Sequence, residues 1–418
     1  MPDSKKFVFF PIASSINQIS SSEIAKEIQT ELLHLGGESI DENRIYEETP
    51  FFFFILTGGT EQKLYELWQK RKSLFHGEPV IILTHGGNNS LPASLEILAR
   101  LQQEGAIGNI IYIDEKNKEY KGEIDRLVKH LNIFHKLHKT KIGLIGEPSD
   151  WLIASMPEIE LIKNVWGPQA IKISIDELKE EINLIKENEI EDAYSFFVNR
   201  ADAIKEPSRK EIKQVVKIYS ALRKLKDKYE LSALTLRCFD LVTDLKSTGC
   251  FALAKLNDEG IVSGCEGDLV STIGMVWANA ITDQSVWMAN PAQIDGENNI
   301  IKLAHCTVPV GMVDKYKLRS HFESGSGVGI EGEFSKGKIT LFRLGGKDLK
   351  KIWITNGEII SYSKEENLCR TQVNVKLHGA KPSDLLTEPL GNHLLMIRGS
   401  FAKEMMQWHN AFIFNSTK

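Results

Sequence analysis

Long apolar runs are missing from this sequence of 418 residues. No stretch reaches the roughly 20 consecutive apolar residues that a membrane-spanning helix needs. The apolar run 7–12 follows two lysines, but it is short and contains Pro11, so we expect no secretory signal. With 42% hydrophobic and 26% charged residues, the composition is that of an ordinary soluble globular protein. We therefore expect no interaction with a membrane.

A basic surface is missing as well. The formal net charge is −5, and acidic and basic residues are interspersed along the chain. Because nucleic acids and anionic membranes attract proteins through clustered Lys and Arg, neither is an expected partner. A small molecule is the expected partner.

Cysteine is scarce, and no Cys-x-x-Cys pair occurs. An odd number of cysteines without a secretory signal predicts free thiols in a reducing cytoplasm rather than a disulfide framework. Taken singly, each is also explained as a small buried hydrophobic residue. All five lie in the second half of the chain: Cys238, Cys250, Cys265, Cys306 and Cys369.

Nucleotide-binding motifs are absent too. The sequence has no Gly-x-x-x-x-Gly-Lys-Ser/Thr and no Gly-x-Gly-x-x-Gly that opens a helix. Two glycine-rich turns, 57–60 and 84–89, each follow a predicted strand. Their backbone N–H groups could bind an anion or a sugar hydroxyl, or the glycines could simply allow tight turns.

Apolar and amphipathic stretches alternate in the first third of the chain. Runs of strand length lie at 7–12, 51–56, 79–83 and 108–113, with amphipathic stretches between them. Continuous apolar strands fit a parallel sheet whose two faces are covered by helices. The pattern predicts an α/β domain over residues 1–140.

A second alternating set begins with an apolar strand at 141–146 and predicts another parallel α/β domain over 141–300. Further strands are expected at 170–175, 233–239, 250–256 and 260–265, and helices at 176–187, 210–228 and 268–281.

Beyond residue 300 the predicted elements are β-strands. Strict alternation at 338–343 and 370–377 indicates an antiparallel sheet or barrel over 301–418. The predicted fold class is therefore two parallel-sheet α/β domains followed by a C-terminal antiparallel β-barrel-like domain.

Candidate site residues centre on the turn 263–268, Ser-Gly-Cys-Glu-Gly-Asp, between a predicted strand and a predicted helix. Glu266 and the earlier Asp240, together with His305 and His393, form a carboxylate and imidazole set that suits Mn²⁺, Fe²⁺, Co²⁺ or Zn²⁺. Each also has a purely structural interpretation, as a helix cap, a turn residue or a core histidine. Asp268 is expected to cap the helix.

Six ordered motifs resemble the L-fucose isomerase and L-arabinose isomerase superfamily, in its branch of fucose isomerase-like proteins. The resemblance covers roughly residues 140–415. The motifs are Cys238-Phe239-Asp240, Leu256-Asn257-Asp258-Glu259-Gly260, Cys265-Glu266-Gly267-Asp268, Ala304-His305-Cys306-Thr307, Cys369-Arg370-Thr371 and Leu390-Gly391-Asn392-His393.

The resemblance implies a role for each of four residues. Glu266 falls on a metal-binding catalytic glutamate, and Asp240 on the earlier acid of the catalytic pair, where the named enzymes have glutamate. His393 falls on the late histidine ligand, and His305 on a histidine that arabinose isomerases use. The resemblance further implies one divalent metal, usually Mn²⁺, and a homo-oligomer with sites near subunit boundaries.

The predicted function is therefore a cytoplasmic, metal-dependent aldose–ketose isomerase that acts on a deoxy-sugar, a pentose or a modified aldose through an enediol. Two alternatives stay open: a homologue that binds a carbohydrate or metal without isomerising it, and an epimerase or aldol-type enzyme on the same metal site. Candidates for binding sugar hydroxyls or an anionic substituent are Arg319, His321, Glu323 and Arg370.

Overall fold

The computed structural model describes residues 6–14, 23–114 and 116–414. The chain divides into two compact units. The first comprises residues 1–136 and 407–418, and the second residues 137–406. The predicted division into domains at residues 140 and 300 stays a prediction.

The first unit is built on a five-stranded parallel sheet of order β2-β1-β3-β4-β5. All five residues of the central strand β3 are buried, as expected for a sheet that helices cover on both faces. The strands are β1 (Phe7–Ile12), β2 (Gly37–Ser39), β3 (Phe51–Ile55), β4 (Val80–Thr84) and β5 (Gly108–Tyr112). The helices are α1 (Glu23–His34), α2 (Glu61–Lys72), α3 (Ser90–Gln103) and α4 (Glu119–Lys139).

The second unit begins with a four-stranded parallel sheet of order β10-β9-β6-β7. Its strands are β6 (Lys141–Ile145), β7 (Gln169–Ile173), β9 (Ala233–Leu236) and β10 (Val262–Cys265). The helices along this stretch are α5 (Ile159–Trp166), α6 (Ile175–Leu184), α7 (Glu191–Arg200), α8 (Arg209–Lys228), α9 (Cys238–Leu245), α10 (Cys250–Asp258) and α11 (Leu269–Thr282).

The strand predicted at 250–256 is wrong, because these residues form helix α10. The run Cys-Phe-Ala-Leu-Ala-Lys-Leu is buried almost all round, and a short continuous apolar run does not distinguish a buried helix from a buried strand. The strand expected over 233–239 ends at Leu236. Asp240 consequently lies in the first turn of α9 and not at a strand end.

Six antiparallel strands close a barrel in the order β11-β12-β17-β16-β15-β18. They are β11 (Trp287–Asp295), β12 (Ile300–His305), β15 (Gly337–Gly345), β16 (Lys351–Tyr362), β17 (Thr371–Leu377) and β18 (Leu394–Arg398). A small sheet joins β8 (Ala203–Ile204), β13 (Lys315–Arg319) and β14 (Gly329–Glu333), and two helices follow, α12 (Asp384–Thr387) and α13 (Ala402–His409).

The predicted fold class is confirmed: two parallel-sheet α/β parts precede a closed antiparallel barrel. Across the described ranges, every helix is too short or too polar to cross a membrane.

The turn from β10 to α11 has an unusual backbone. Glu266 and Gly267 both lie in the left-handed region, with φ of +63° and +71°. A side chain at Gly267 would put its Cβ 2.8 Å from Pro148 Cα and 2.9 Å from Glu147 O. Asp268 then caps α11 by accepting a hydrogen bond from Ser271 N, which confirms its predicted role.

We expect Gly267→Ala to lower the free energy of unfolding by about 2 kcal/mol or more, because a left-handed residue with a Cβ is strained and here also clashes with backbone. Urea unfolding measures the change. The control is Gly296→Ala, where the added Cβ meets no atom within 4 Å. Equal stability of the two variants would contradict this account of the turn.

Candidate active site

A cavity of about 530 Å³ lies in the second unit. Its wall combines the start of α9 and the end of β10 with residues of the barrel and of the loop between β13 and β14. The lining residues are Trp151, Cys238, Phe239, Cys250, Cys265, Glu266, Asn290, Pro291, His305, Cys306, His321, Glu323, Cys369 and Asn392.

Three buried side chains at this cavity could hold a metal ion. Glu266 follows β10, His305 ends β12 and His393 immediately precedes β18. One ligand-type atom from each lies within 4.8 Å of the other two. The predicted residues Glu266, His305 and His393 are thus brought together in space from three distant parts of the chain.

The cluster also offers a nitrogen that suits a metal. His393 Nε2 is buried, lacks a hydrogen-bond partner and lies 3.5 Å from Glu266 Oε1. A buried polar atom without a partner costs free energy, and a cation placed between the imidazole and the carboxylate would bind both. One carboxylate and two imidazoles are a ligand set for a divalent metal and leave coordination positions for substrate oxygens.

Asp268 determines the orientation of His393. Its Oδ2 lies 2.9 Å from His393 Nδ1. Because a carboxylate only accepts hydrogen bonds, Nδ1 carries a proton. In the neutral ring that a metal ligand requires, the lone pair is then on Nε2, which faces Glu266. The structure therefore gives Asp268 a second contact beyond the predicted helix cap.

A buried arginine balances the charge of Asp268. Arg343 Nη1 lies 3.1 Å from Asp268 Oδ2 and also donates to Ser271 Oγ, while its Nη2 donates to Ser155 Oγ at 2.6 Å. Gly391 makes room for the guanidinium, because a Cβ there would lie 2.8 Å from Arg343 Cζ.

The pKa values reflect this arrangement of charges. Burial opposes ionisation of Glu266 and Asp268, yet the pKa of both carboxyls is lowered. For Glu266 the effect of burial is outweighed mainly by His393. For Asp268 it is outweighed by Arg343 and then by His393. For His393, burial is outweighed by the hydrogen bond to Asp268 and by the nearby Glu266 carboxylate, which raise its pKa. Burial, together with the nearby His393, lowers the pKa of His305 to about 3.

Aromatic rings form one side of the cavity. Trp151 Nε1 donates to Glu266 Oε2 at 2.6 Å, which fixes the second carboxylate oxygen. The Trp151 ring packs edge-on against Phe239 with centroids 4.8 Å apart, and Phe239 packs against His321 at 5.7 Å. Such a wall suits the apolar face of a sugar ring.

All five cysteines line the cavity, and all are free, as predicted. Cys238 Sγ and Cys265 Sγ lie 3.2 Å apart. The thiols make this part of the wall polarisable and weakly polar. Nothing in their sequence spacing indicated that they surround one cavity.

Three predicted site residues lie outside the cluster and the cavity lining. Asp240 pairs with Arg237, with 2.9 Å between Oδ1 and Nε. Arg319 pairs with Glu206 and Glu331 on neighbouring segments, and Arg370 donates to Ser320 O at 3.0 Å. His321, by contrast, lines the cavity. The predicted roles of all these residues stay predictions.

Sequence reasoning did not assign the roles of two other residues at the site. The predicted helix cap already accounts for the Asp268 carboxylate, so the sequence does not indicate its contact with His393. Asn392 lines the cavity next to His393, and its position beside a candidate ligand is the only sequence signal it carries.

Several proteins that share one name are similar in sequence to this chain. No protein-family model matches the chain. A sulfoquinovose isomerase of Alkalicoccus urumqiensis is 21% identical over 297 residues, which are 67% of this chain and 65% of the relative. One of Priestia megaterium is 22% identical over 311 residues, 70% of this chain and 68% of the relative. A third, of a Clostridium species (strain MSTE9), is 26% identical over 176 residues, 42% and 39% of the two chains.

The match to the first of these relatives therefore spans slightly less than two thirds of its length. The chain is similar, at low identity, to proteins named sulfoquinovose isomerase. The resemblance to the fucose and arabinose isomerases stays a prediction.

The metal-free protein should lose stability as the pH falls from about 6.5 towards 3, in part through His305. Unfolded histidine takes up a proton near pH 6.5, whereas folded His305 does so only near pH 3. Between these pH values the unfolded state binds more protons than the folded state, so the free energy of unfolding falls by up to about 1.4 kcal/mol for each pH unit. Urea unfolding with EDTA at several pH values should show a shallower slope for His305→Asn, while the exposed-residue control His378→Asn should keep the wild-type slope. Identical slopes in all three proteins would contradict the low pKa.

Asp268→Asn should weaken Mn²⁺ binding about 10–100-fold, because a neutral amide no longer selects the tautomer and orientation of His393. Calorimetric titration with Mn²⁺ alone measures the affinity, and circular dichroism checks that the variant is folded. Ser271→Ala is the matched control: it removes a hydroxyl bonded to the same carboxylate and leaves the His393 contact in place. Unchanged affinity in a folded Asp268→Asn variant would remove Asp268 from this role.

Proposed function

We propose that this protein is a metal-dependent aldose–ketose isomerase of a modified sugar. The observation that carries the proposal is the buried cluster of Glu266, His305 and His393. Two of its members, Glu266 and His305, line a cavity that is large enough for a sugar. The shared name of the relatives supports it, because sulfoquinovose isomerases convert a modified aldose into a ketose.

The residues of the site suit this chemistry. A divalent cation, when bound, polarises a sugar carbonyl and stabilises the negative charge of an enediolate. Glu266, His305 and His393 would hold it, and Asp268 would keep His393 in position. Trp151 holds Glu266 Oε2 and, with Phe239, presents aromatic surface to the sugar.

The lining also bears on the choice of sugar. The described residues of the wall include two carboxyl side chains, Glu266 and Glu323, and no lysine or arginine. Carboxylates accept hydrogen bonds from sugar hydroxyls but repel a sulfonate. An uncharged aldose therefore fits this lining directly, whereas a sulfonated one needs a cation from elsewhere. Manganese as the metal and homo-oligomeric assembly remain predictions from the resemblance, and a cytoplasmic location remains a prediction from the cysteine content.

Glu266→Gln should abolish both metal binding and isomerisation, because it removes the anionic ligand of the cluster. Wild-type protein dialysed after loading should retain about one Mn²⁺ per chain and convert an aldose to its ketose. Sulfoquinovose, L-fucose and L-arabinose form the substrate panel. Elemental analysis measures the metal, and ketose formation measures the activity.

The control is Glu358→Gln, a change of a half-exposed barrel carboxylate that does not line the cavity. It should keep metal and activity. Metal retention without turnover of any sugar would favour a binding protein, and hydrogen exchange at C2 without ketose would favour an epimerase. Either result would overturn the proposed isomerase.

A further inference from the structure

Proton transfer between C1 and C2 of a sugar needs a group that can reach the carbon-bound hydrogen. Both carboxylate oxygens of Glu266 already have other contacts. Its Oε2 accepts a hydrogen bond from Trp151 Nε1, and its Oε1 faces His393 within the cluster. Asp240 is paired with Arg237 and lies outside the lining residues. The cavity wall must therefore supply another acid–base group.

Glu323 is a second carboxylate in the wall of the same cavity. It lies on the loop between β13, which ends at Arg319, and β14, which begins at Gly329. Within the described ranges, Glu323 takes part in no ion pair and no hydrogen bond. Its side chain is reached by solvent, so a proton that it accepts can exchange with water.

The loop holds Glu323 in a defined place. His321 N donates to Ser326 O at 3.1 Å, and Gly325 N donates to His321 O at 2.9 Å, which closes a tight turn around Glu323. Thr248 anchors the end of this turn through bonds of 3.1 Å to both the N–H and the C=O of Val328. The carboxylate thus sits on a braced turn.

Glu323 and Glu266 also interact electrostatically. Burial, and after it the negative charge of Glu266, raises the pKa of Glu323 above its ordinary value.

We propose that Glu323 is the acid–base residue that transfers the proton between C1 and C2, an inference that rests on the proposed isomerase function. The Glu323 carboxylate takes the proton from C2 of the open-chain aldose. The C2–H electron pair forms the C1=C2 bond, and the C1=O1 π pair moves onto O1, which takes a proton from a water molecule and leaves a hydroxide ion.

The second half of the reaction returns the proton. O2 gives its proton to that hydroxide and restores the water molecule, an O2 electron pair forms the C2=O2 bond, and the C1=C2 π pair takes the proton from Glu323 at C1. The sum is an aldose converted to a ketose, with no other reactant consumed.

The test compares Glu323→Gln with Asp240→Asn and with a control, Glu297→Gln, on the hairpin between β11 and β12. Each is loaded with Mn²⁺ and assayed with the aldose of the panel that wild-type protein converts. Glu323→Gln should lower kcat about 10²–10⁴-fold with unchanged Mn²⁺ content, and proton exchange from C2 to solvent should fall in parallel. Glu297→Gln should match wild type.

The outcomes separate this inference from the function on which it rests. If the wild-type protein is active and the kcat of Glu323→Gln lies within threefold of the wild-type kcat, the role of Glu323 is overturned and the isomerase proposal stands. Loss of activity in Asp240→Asn but not in Glu323→Gln would do the same, in favour of Asp240. Loss of Mn²⁺ from Glu323→Gln would make Glu323 a ligand instead. Failure of wild-type protein on every sugar would overturn the isomerase proposal, and this inference with it.

Discussion

The 2.9 Å contact between His393 Nδ1 and Asp268 Oδ2 is the interaction on which the site depends. Both side chains are fully buried, so each relies on the other to satisfy its polar atoms. Arg343 supplies the positive charge that makes a buried Asp268 carboxylate tolerable, while Ser271 N uses the same carboxylate as a helix cap. Because breaking a buried charged network leaves an uncompensated charge, these elements stabilise one another as a set.

Much of the fold follows from patterns that are local in sequence. Apolar runs such as 51–56 can be buried only between layers of helix, so they indicate a parallel sheet. The alternation at 338–343 indicated a strand, although β15 is buried on both faces from Ile339 to Gly345. The predicted fold class holds for that reason. The run 250–256 was assigned to the wrong element because its apolar residues leave no periodicity to read.

The site was predictable only in part, because a single sequence does not show which of its distant residues lie close together in the folded protein. Glu266, His305 and His393 could be proposed together from motif order, and they do meet. Asp240 has a neighbour three residues earlier, Arg237, that holds its carboxylate, and no spacing rule reveals which partner such an acid will choose. Glu323 was a candidate only for binding the sugar, because the sequence does not show that the fold places it in the wall of the same cavity as Glu266.

The left-handed backbone at Glu266 has a thermodynamic meaning for the protein as a whole. A non-glycine residue with φ near +60° carries a conformational cost that glycine would not have. The chain therefore keeps glutamate at a position where local energetics favour another residue. In the terms used for folding landscapes, this turn is frustrated, because its local preference conflicts with the fold. Gly267, tight against Pro148, and Asp268, paired with Arg343, hold the turn so that the Glu266 carboxylate faces the cavity.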